Sequence, residues 1–328
     1  MRVLVTGATG FIGSHVADKL LQKGYRVRCI ARKSSNLRWL EGKDFEIVEA
    51  SLDNQDSLVK AVDGVDYIYH VAGLTFARNY EEFLRGNRDA TANLLKVTEQ
   101  YAPNIKRFLF VSSQTVTGPA KSLNEPVDET TPCHPITSYG KSKKAAEDVV
   151  LSYTGKIPFT IVRAPAVYGP RDTAIYDVFR TVKMGLGAMV GFRDKYISLI
   201  HSEDLSRGII EAAESENTLN EIYFVSSEEF YTWKQLINLI AEKMSKKFVL
   251  KLRLPHWVVL TVAGISEFLG KFSEKPPVFN YEKGIDFIQD YWICSTAKAK
   301  RDFGYKQLMS IEDGMQNTID WYKQNKWL

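Results

Sequence analysis

The 328-residue sequence has three cysteines, Cys29, Cys133 and Cys294, and they lie far apart. Neither they nor the five histidines show the spacing of a metal-ligand set, so no metal site is expected. A reduced, cytoplasmic chain without a disulfide framework is the simplest reading. An excess of one charge is also missing: 43 Lys and Arg stand against 39 Asp and Glu, and the bases are scattered among acids. That excludes the clustered basic face on which nucleic-acid binding depends. Long apolar runs are absent too. The most apolar late stretch, residues 257–270, is shorter than the roughly 20 residues of a spanning helix and contains Glu267. It is expected to be a packed helix, with peripheral membrane contact the less favoured reading. The opening MRVLVTGATG lacks the apolar segment and cleavage site of a signal peptide.

What is present is the composition of a globular chain, 45% hydrophobic and 25% charged, long enough for two domains or one large unit with an appendage. Apolar strand-like runs at 3–5, 26–31, 45–48, 67–71, 107–111 and 159–162 alternate with helical patterns at 13–23, 56–62, 81–101 and 138–152. Buried strands joined by helices predict an α/β fold, a Rossmann-type doubly wound parallel sheet over residues 1–165. After Pro165 the rhythm loosens. Residues 166–328 read as a smaller, mostly helical, discontinuous substrate-binding region. Strands near 196–200 and 221–225 are expected to return to the first sheet.

Thr6-Gly7-Ala8-Thr9-Gly10-Phe11-Ile12-Gly13 follows the first strand and opens the first helix. Glycines there permit a tight turn and bring backbone N–H groups and a helix N-terminus against a pyrophosphate. An NAD site places an acid about 20 residues further on, at the end of the second strand. Here that place holds Arg32, followed by Lys33. A guanidinium suits a ribose 2′-phosphate, so NADP is expected over NAD.

Tyr139 and Lys143, four apart at the start of a helical pattern, share a face. A tyrosine is a poor base near neutrality unless positive charge favours its phenolate, which an ammonium and a cationic nicotinamide would supply. Ser112 and Ser113 end the strand at 107–111, where open α/β sheets bind ligands, and Ser113 can hold a substrate oxygen within reach of Tyr139.

Taken together, Thr6-Gly7-x-x-Gly10-x-x-Gly13, His70-Val71-Ala72-Gly73, Ser113, Tyr139-x-x-x-Lys143 and Arg163-Ala164-Pro165-Ala166-Val167-Tyr168-Gly169-Pro170 resemble the extended short-chain dehydrogenase/reductase superfamily over nearly the whole chain. The resemblance implies a catalytic triad of Ser113, Tyr139 and Lys143. It implies Ala72 at the cofactor, Ala166 and Val167 beside the nicotinamide carboxamide, and Asn87 near the active site. The 200–205 stretch matches a later structural signature. Where the family has aspartate before leucine after the third strand, this chain has Ser51-Leu52, with Asp53 one place later. Ser51 and Leu52 are expected at the cofactor, and the adenine contact stays open between Ser51 and Asp53.

Superfamily dehydratases carry an acid pair after the catalytic Ser or Thr; here Gln114 and Thr115 stand there, which argues against dehydration. The basic end of the second strand and the Ser112–Gly118 form resemble the 3β-hydroxysteroid dehydrogenase and dihydroflavonol-reductase-like branch. The expected function is an NADP-dependent oxidoreductase interconverting a secondary alcohol and a ketone on a hydrophobic or polycyclic small molecule. The alternatives are a nucleotide-sugar epimerase and a non-catalytic NADP-binding sensor or scaffold. Phe76, Tyr80, Phe83, Tyr176, Phe179, Met184, Met189 and Phe192 are candidate apolar residues of the substrate region. Helices at 81–101 and 138–152 resemble a four-helix dimer interface, so a homodimer is expected.

Overall fold

The computed structural model describes residues 1–270 and 279–328. The chain begins with β1 (Arg2–Thr6), α1 (Phe11–Gln22), β2 (Arg26–Ala31), β3 (Phe45–Glu49), α2 (Gln55–Val62), β4 (Tyr67–His70), α3 (Tyr80–Leu84) and α4 (Ala90–Tyr101). Then come β5 (Arg107–Ser113), α5 (Ser138–Leu151), β6 (Phe159–Ala164), β7 (Ala166–Tyr168), α6 (Tyr176–Lys183), β8 (Leu186–Val190), β9 (Tyr196–His201) and α7 (Ser202–Glu214). The rest adds β10 (Glu221–Phe224), β11 (Phe230–Thr232), α8 (Trp233–Lys243), β12 (Leu250–Leu254), α9 (His256–Gly270), α10 (Tyr281–Ile288), β13 (Tyr291–Trp292), α11 (Ala297–Phe303) and α12 (Ile311–Gln324).

Seven strands form one parallel sheet in the order β10-β6-β5-β4-β1-β2-β3. Its central strands are buried on both faces, which is why they read as continuous apolar runs and not as alternating ones. One core lies between the sheet and α1 and α7, the other between the sheet and α2, α4 and α5. The strand order reverses between β1 and β4, and the crevice outside their C-terminal ends is where such sheets take ligands. A buried ion pair seats α5 on the sheet: the Arg163 guanidinium of β6 donates to both carboxylate oxygens of Glu147, at 2.9 and 2.7 Å. The Thr137 hydroxyl caps α5 by accepting from the Gly140 N–H at 3.2 Å.

Two expectations need correction. The strand at Tyr196–His201 does not return to the main sheet. Pro165, which has no N–H to extend the ladder, separates β6 from β7, and the chain leaves the sheet there. β9 then pairs with β7 and joins β11 and β13 in a separate four-stranded sheet, whereas β10 does lie beside β6. The second correction concerns residues 257–270. They form most of α9, but only Val259 and Ala263 of that helix are buried. It is not packed into a core.

Candidate active site

The first loop is built around close approach. Gly7 has a φ of +73°, and a Cβ there would meet the Ala72 backbone at 2.8 Å; one on Gly13 would lie 2.2 Å from the Gly7 carbonyl oxygen. Only glycines fit, and Ala72 is the β4-side wall of the turn. Gly10 caps α1 without a side-chain hydrogen bond, and no acid occupies the first turn. The N-terminus of α1, at Phe11 and Ile12, therefore keeps N–H donors and a positive dipole end for an anion, which suits a dinucleotide pyrophosphate.

Beyond β2, Arg32 and Lys33 are exposed. The Arg32 backbone N–H donates to the Ser35 hydroxyl at 3.0 Å, while its guanidinium pairs with no acid among the described residues. At the end of the neighbouring β3, Ser51 and Leu52 are half-buried. The Ser51 N–H donates to the Ser57 hydroxyl at 3.0 Å, and the Leu52 carbonyl accepts from Asn93 at 2.9 Å. The Asp53 side chain is exposed. These residues share one rim of the sheet with Thr6.

A directed hydrogen-bond chain runs beneath the crevice. The Ala72 N–H donates to Thr6 Oγ1 at 3.1 Å, Thr6 Oγ1 meets His70 Nδ1 at 2.7 Å, His70 Nε2 meets Thr91 Oγ1 at 3.0 Å, and Thr91 donates to the Asn87 carbonyl at 2.6 Å. Because Thr91 spends its one proton on that carbonyl, His70 donates from Nε2 and accepts the Thr6 hydroxyl proton at Nδ1. Burial, and then the charge of Lys143, hold the imidazole neutral, with its pKa down at about 3. Asn87 sits in a π-helical turn, Arg85–Asp89, of the kind that gathers at functional sites. Its side-chain oxygen accepts from the Leu74 N–H at 2.8 Å, and its amide donates to the Leu74 carbonyl at 3.1 Å and to the Ser142 hydroxyl at 2.8 Å.

Lys143 is buried; its Nζ donates to the Val111 carbonyl at 2.8 Å and lies 4.2 Å from the centre of the Phe110 ring. Burial lowers its pKa to about 7, against a smaller opposing pull from Glu147. A Cβ at Gly73 would sit 3.0 Å from the Asn87 oxygen and 3.7 Å from Lys143 Nζ, so the bare backbone there leaves the approach open. Tyr139 stands one turn before Lys143. Burial pushes its phenol up to about 12, and a hydrogen bond with Ser113 pulls the other way. Ser113 Oγ also accepts from the Thr115 N–H at 3.3 Å and the Thr115 hydroxyl at 3.0 Å. Ser112 is buried with its hydroxyl unpartnered. Ser113 is the register partner of Ala164, two residues before Ala166, which is exposed beside the half-buried Val167. The fold thus gathers Ser113, Tyr139, Lys143 and Asn87 at one end of the sheet and the glycine loop and Arg32 along the same rim.

A tight pocket in front of Tyr139 is lined by Phe76 and Phe83, as anticipated, and by α10 through Glu282, Lys283 and Asp286, which pattern reading missed. The Glu282 carboxylate accepts from the Ser138 N–H at 3.0 and 2.9 Å and from its hydroxyl at 2.6 Å, tying α10 to the helix that carries Tyr139. Asp286 Oδ1 is buried without a partner among the described residues, while Oδ2 accepts from Lys283 at 3.3 Å. Burial raises the Asp286 pKa. The other expected pocket residues are elsewhere: Tyr176, Phe179 and Met189 pack in the core of α6, α8 and α12, and Tyr80, Met184 and Phe192 are exposed.

The chain is similar to a ceramide reductase of Caulobacter vibrioides, 28% identical over 327 residues that cover 99% of this chain and 96% of that protein. It is also similar to a decarboxylating sterol-4-alpha-carboxylate 3-dehydrogenase of Dictyostelium discoideum, 24% identical over 95% of this chain and 98% of that one. The UDP-glucose 4-epimerase of Thermotoga maritima superposes with a TM-score of 0.80 over 99% of this chain and 100% of its own, at 23% identity, and shares the fold. The model of the family described as NAD dependent epimerase/dehydratase matches residues 3–238, well over half the chain. With the glycine loop, the Ser-Tyr-Lys cluster and this match in agreement, the chain is an enzyme of the NAD dependent epimerase/dehydratase family, of the extended short-chain dehydrogenase/reductase type.

Proposed function

We propose that the protein is an NADP(H)-dependent oxidoreductase that reduces a ketone to a secondary alcohol on a hydrophobic substrate. The observation that carries this reading is a pocket lined by Tyr139, Phe76 and Phe83, with Ser113 hydrogen-bonded to Tyr139 and Lys143 one turn further along the same helix. The phenol of Tyr139, pushed up to about 12, holds its proton at neutral pH, the form that protonates a developing alkoxide. Ser113 orients the carbonyl oxygen. Lys143 supplies charge when protonated, and Thr6, Gly7, Gly10, Phe11, Ile12, Gly13, Ala72, Ala166 and Val167 frame the dinucleotide. The bound nicotinamide supplies the hydride. Gln114 is buried and Thr115 is engaged with Ser113, so no acid pair stands ready for dehydration.

The free Arg32 guanidinium, backed by Lys33, supports NADP over NAD and weighs against an epimerase that holds NAD, while Ser51 and Leu52 border the adenine. The ceramide and sterol names of the two relatives favour a long-chain or polycyclic lipid. We further propose a cytoplasmic homodimer assembled through α4 and α5, tested by its sedimentation mass. The functional test is NADPH oxidation with long-chain 3-oxo lipids and 3-oxosteroids. Turnover with NADPH in excess of NADH supports the reading. Interconversion of sugar nucleotides without net cofactor turnover overturns it.

A further inference from the structure

Large exposed apolar side chains are scattered over the sheet domain but concentrated beyond it: more than half of those among the described residues fall between Met184 and Phe287. Phe248 is 74% exposed, Phe192 72% and Trp257 69%, values that a monomer's interior core does not explain. The elements that carry them adjoin. β12 runs into α9 through Pro255, and β8, its parallel partner, ends where the Gly191 N–H donates to the Leu254 carbonyl at 2.8 Å. There Gly191 abuts the His256 ring.

On a helical wheel of about 100° per residue, Trp257, Thr261, Val262, Ile265 and Leu269 fall within an arc of about 140° that carries no charge, and each of these five is exposed. The helix's one acid, Glu267, lies outside that arc and accepts from the Tyr281 N–H at 2.9 Å. The 15-residue helix is too short to cross a bilayer, and no helix among the described residues is long and apolar enough to do so.

Charge says what covers this face. From Lys243 to Arg253 the sequence has five bases and no acid. Lys246, Lys247 and Lys251 are exposed around Phe248, Leu250 and Leu252, and form no ion pair with any described acid. An apolar helix preceded by a strand that carries and follows unpaired lysines matches an anionic lipid interface, in which the apolar face enters the acyl boundary and the lysines meet headgroups.

From these observations we infer that α9 and β12 form a docking surface for an anionic phospholipid bilayer, on which the protein sits without spanning it. The surface adjoins the pocket. Gly284 of α10 packs so tightly on α9 that a Cβ would meet Ala263 at 3.1 Å and Leu260 at 3.2 Å, and the same α10 presents Asp286 to the space before Tyr139. A lipid leaving the membrane at α9 would be one helix away from the reacting groups. This inference goes beyond the reductase reading and holds or fails without it.

The test is sedimentation of the full chain with vesicles of phosphatidylcholine alone and of phosphatidylcholine mixed with phosphatidylglycerol. Binding to the mixed vesicles is expected, stronger at low salt. Ile265→Asp is expected to weaken it by about tenfold or more, and each Lys→Gln at 246, 247 or 251 by about fivefold. Leu308→Asp, which alters an exposed leucine outside α9 and β12, is the control and should leave binding intact. Circular dichroism confirms that each variant folds; if Ile265→Asp does not, Val262→Ser replaces it. Chain that stays in solution with both vesicle types overturns the proposal. So does binding that Ile265→Asp leaves unchanged, or a self-associated species that Ile265→Asp dissociates and that ignores vesicles.

Discussion

On the sheet side of the cleft, Thr6, His70, Thr91 and Asn87 pass hydrogen bonds along one directed chain, and Lys143 is fixed between the Val111 carbonyl and the Phe110 ring. On the opposite side, α10 brings a carboxylate oxygen of Asp286 with no partner among the described residues, and behind it α9 turns apolar side chains to solvent. The sheet side is tied together by protein hydrogen bonds that leave the Ser112 hydroxyl and the Gln114 amide over, whereas the α10–α9 side leaves Asp286 Oδ1 and an apolar helix face unmatched among the described residues. The first is organised before any ligand arrives. The second has groups still to be matched, as expected where substrate and surface are recognised. On the proposed reading, the difference separates the chemistry, at the C-terminal end of the sheet, from the recognition, on the α10–α9 side.

The contrast can be broken at several points. Tyr139→Phe removes the proton donor and nothing of the scaffold; ketone reduction should fall by roughly 10²–10⁴-fold while NADPH titration by fluorescence is unchanged. Glu147→Ala leaves Arg163 buried and unpaired, and urea unfolding should show a loss of about 3–5 kcal/mol. Ile265→Ser, in the exposed face of α9, should change stability by about 0.5 kcal/mol or less. Equal losses would erase the distinction between the walls. Arg32→Ala should weaken NADPH by about tenfold or more and leave NADH little changed, read from competitive binding curves.

A pH dependence is expected as well. Lys143 has its pKa lowered by burial to about 7 from an ordinary 10.5. Between those values the unfolded chain binds the proton and the folded chain does not, so this group makes stability rise with pH across that window. Below it the full penalty of a buried ammonium applies. Lys143→Met should remove the rise, which urea midpoints on both sides of pH 7 would show.

Much of the sheet side was legible because its information is local. The glycine loop follows its strand, Lys143 follows Tyr139 by one turn, and Ser113 ends a strand, so spacing and a strand's polarity suffice. The fate of Tyr196–His201 was not, because a single proline after β6 redirects the chain, and a strand pattern does not say which sheet it will join. Glu282 reaches Ser138 across 144 positions, a contact no periodicity announces. Phe179 and Phe83 are both aromatics at helical spacing, but only the fold puts one in a core and the other in the pocket. For α9, a helix apolar nearly all round reads as buried, and the sequence alone does not reveal that no core element covers one side.

The most direct test follows a single hydride. With NADPH deuterated on the transferring face and a long-chain 3-oxo lipid, the wild-type protein should place deuterium on the carbinol carbon, and Tyr139→Phe, with cofactor bound, should not within the same time. Transfer at an unchanged rate in Tyr139→Phe, or deuterium absent from the wild-type product, would contradict the account.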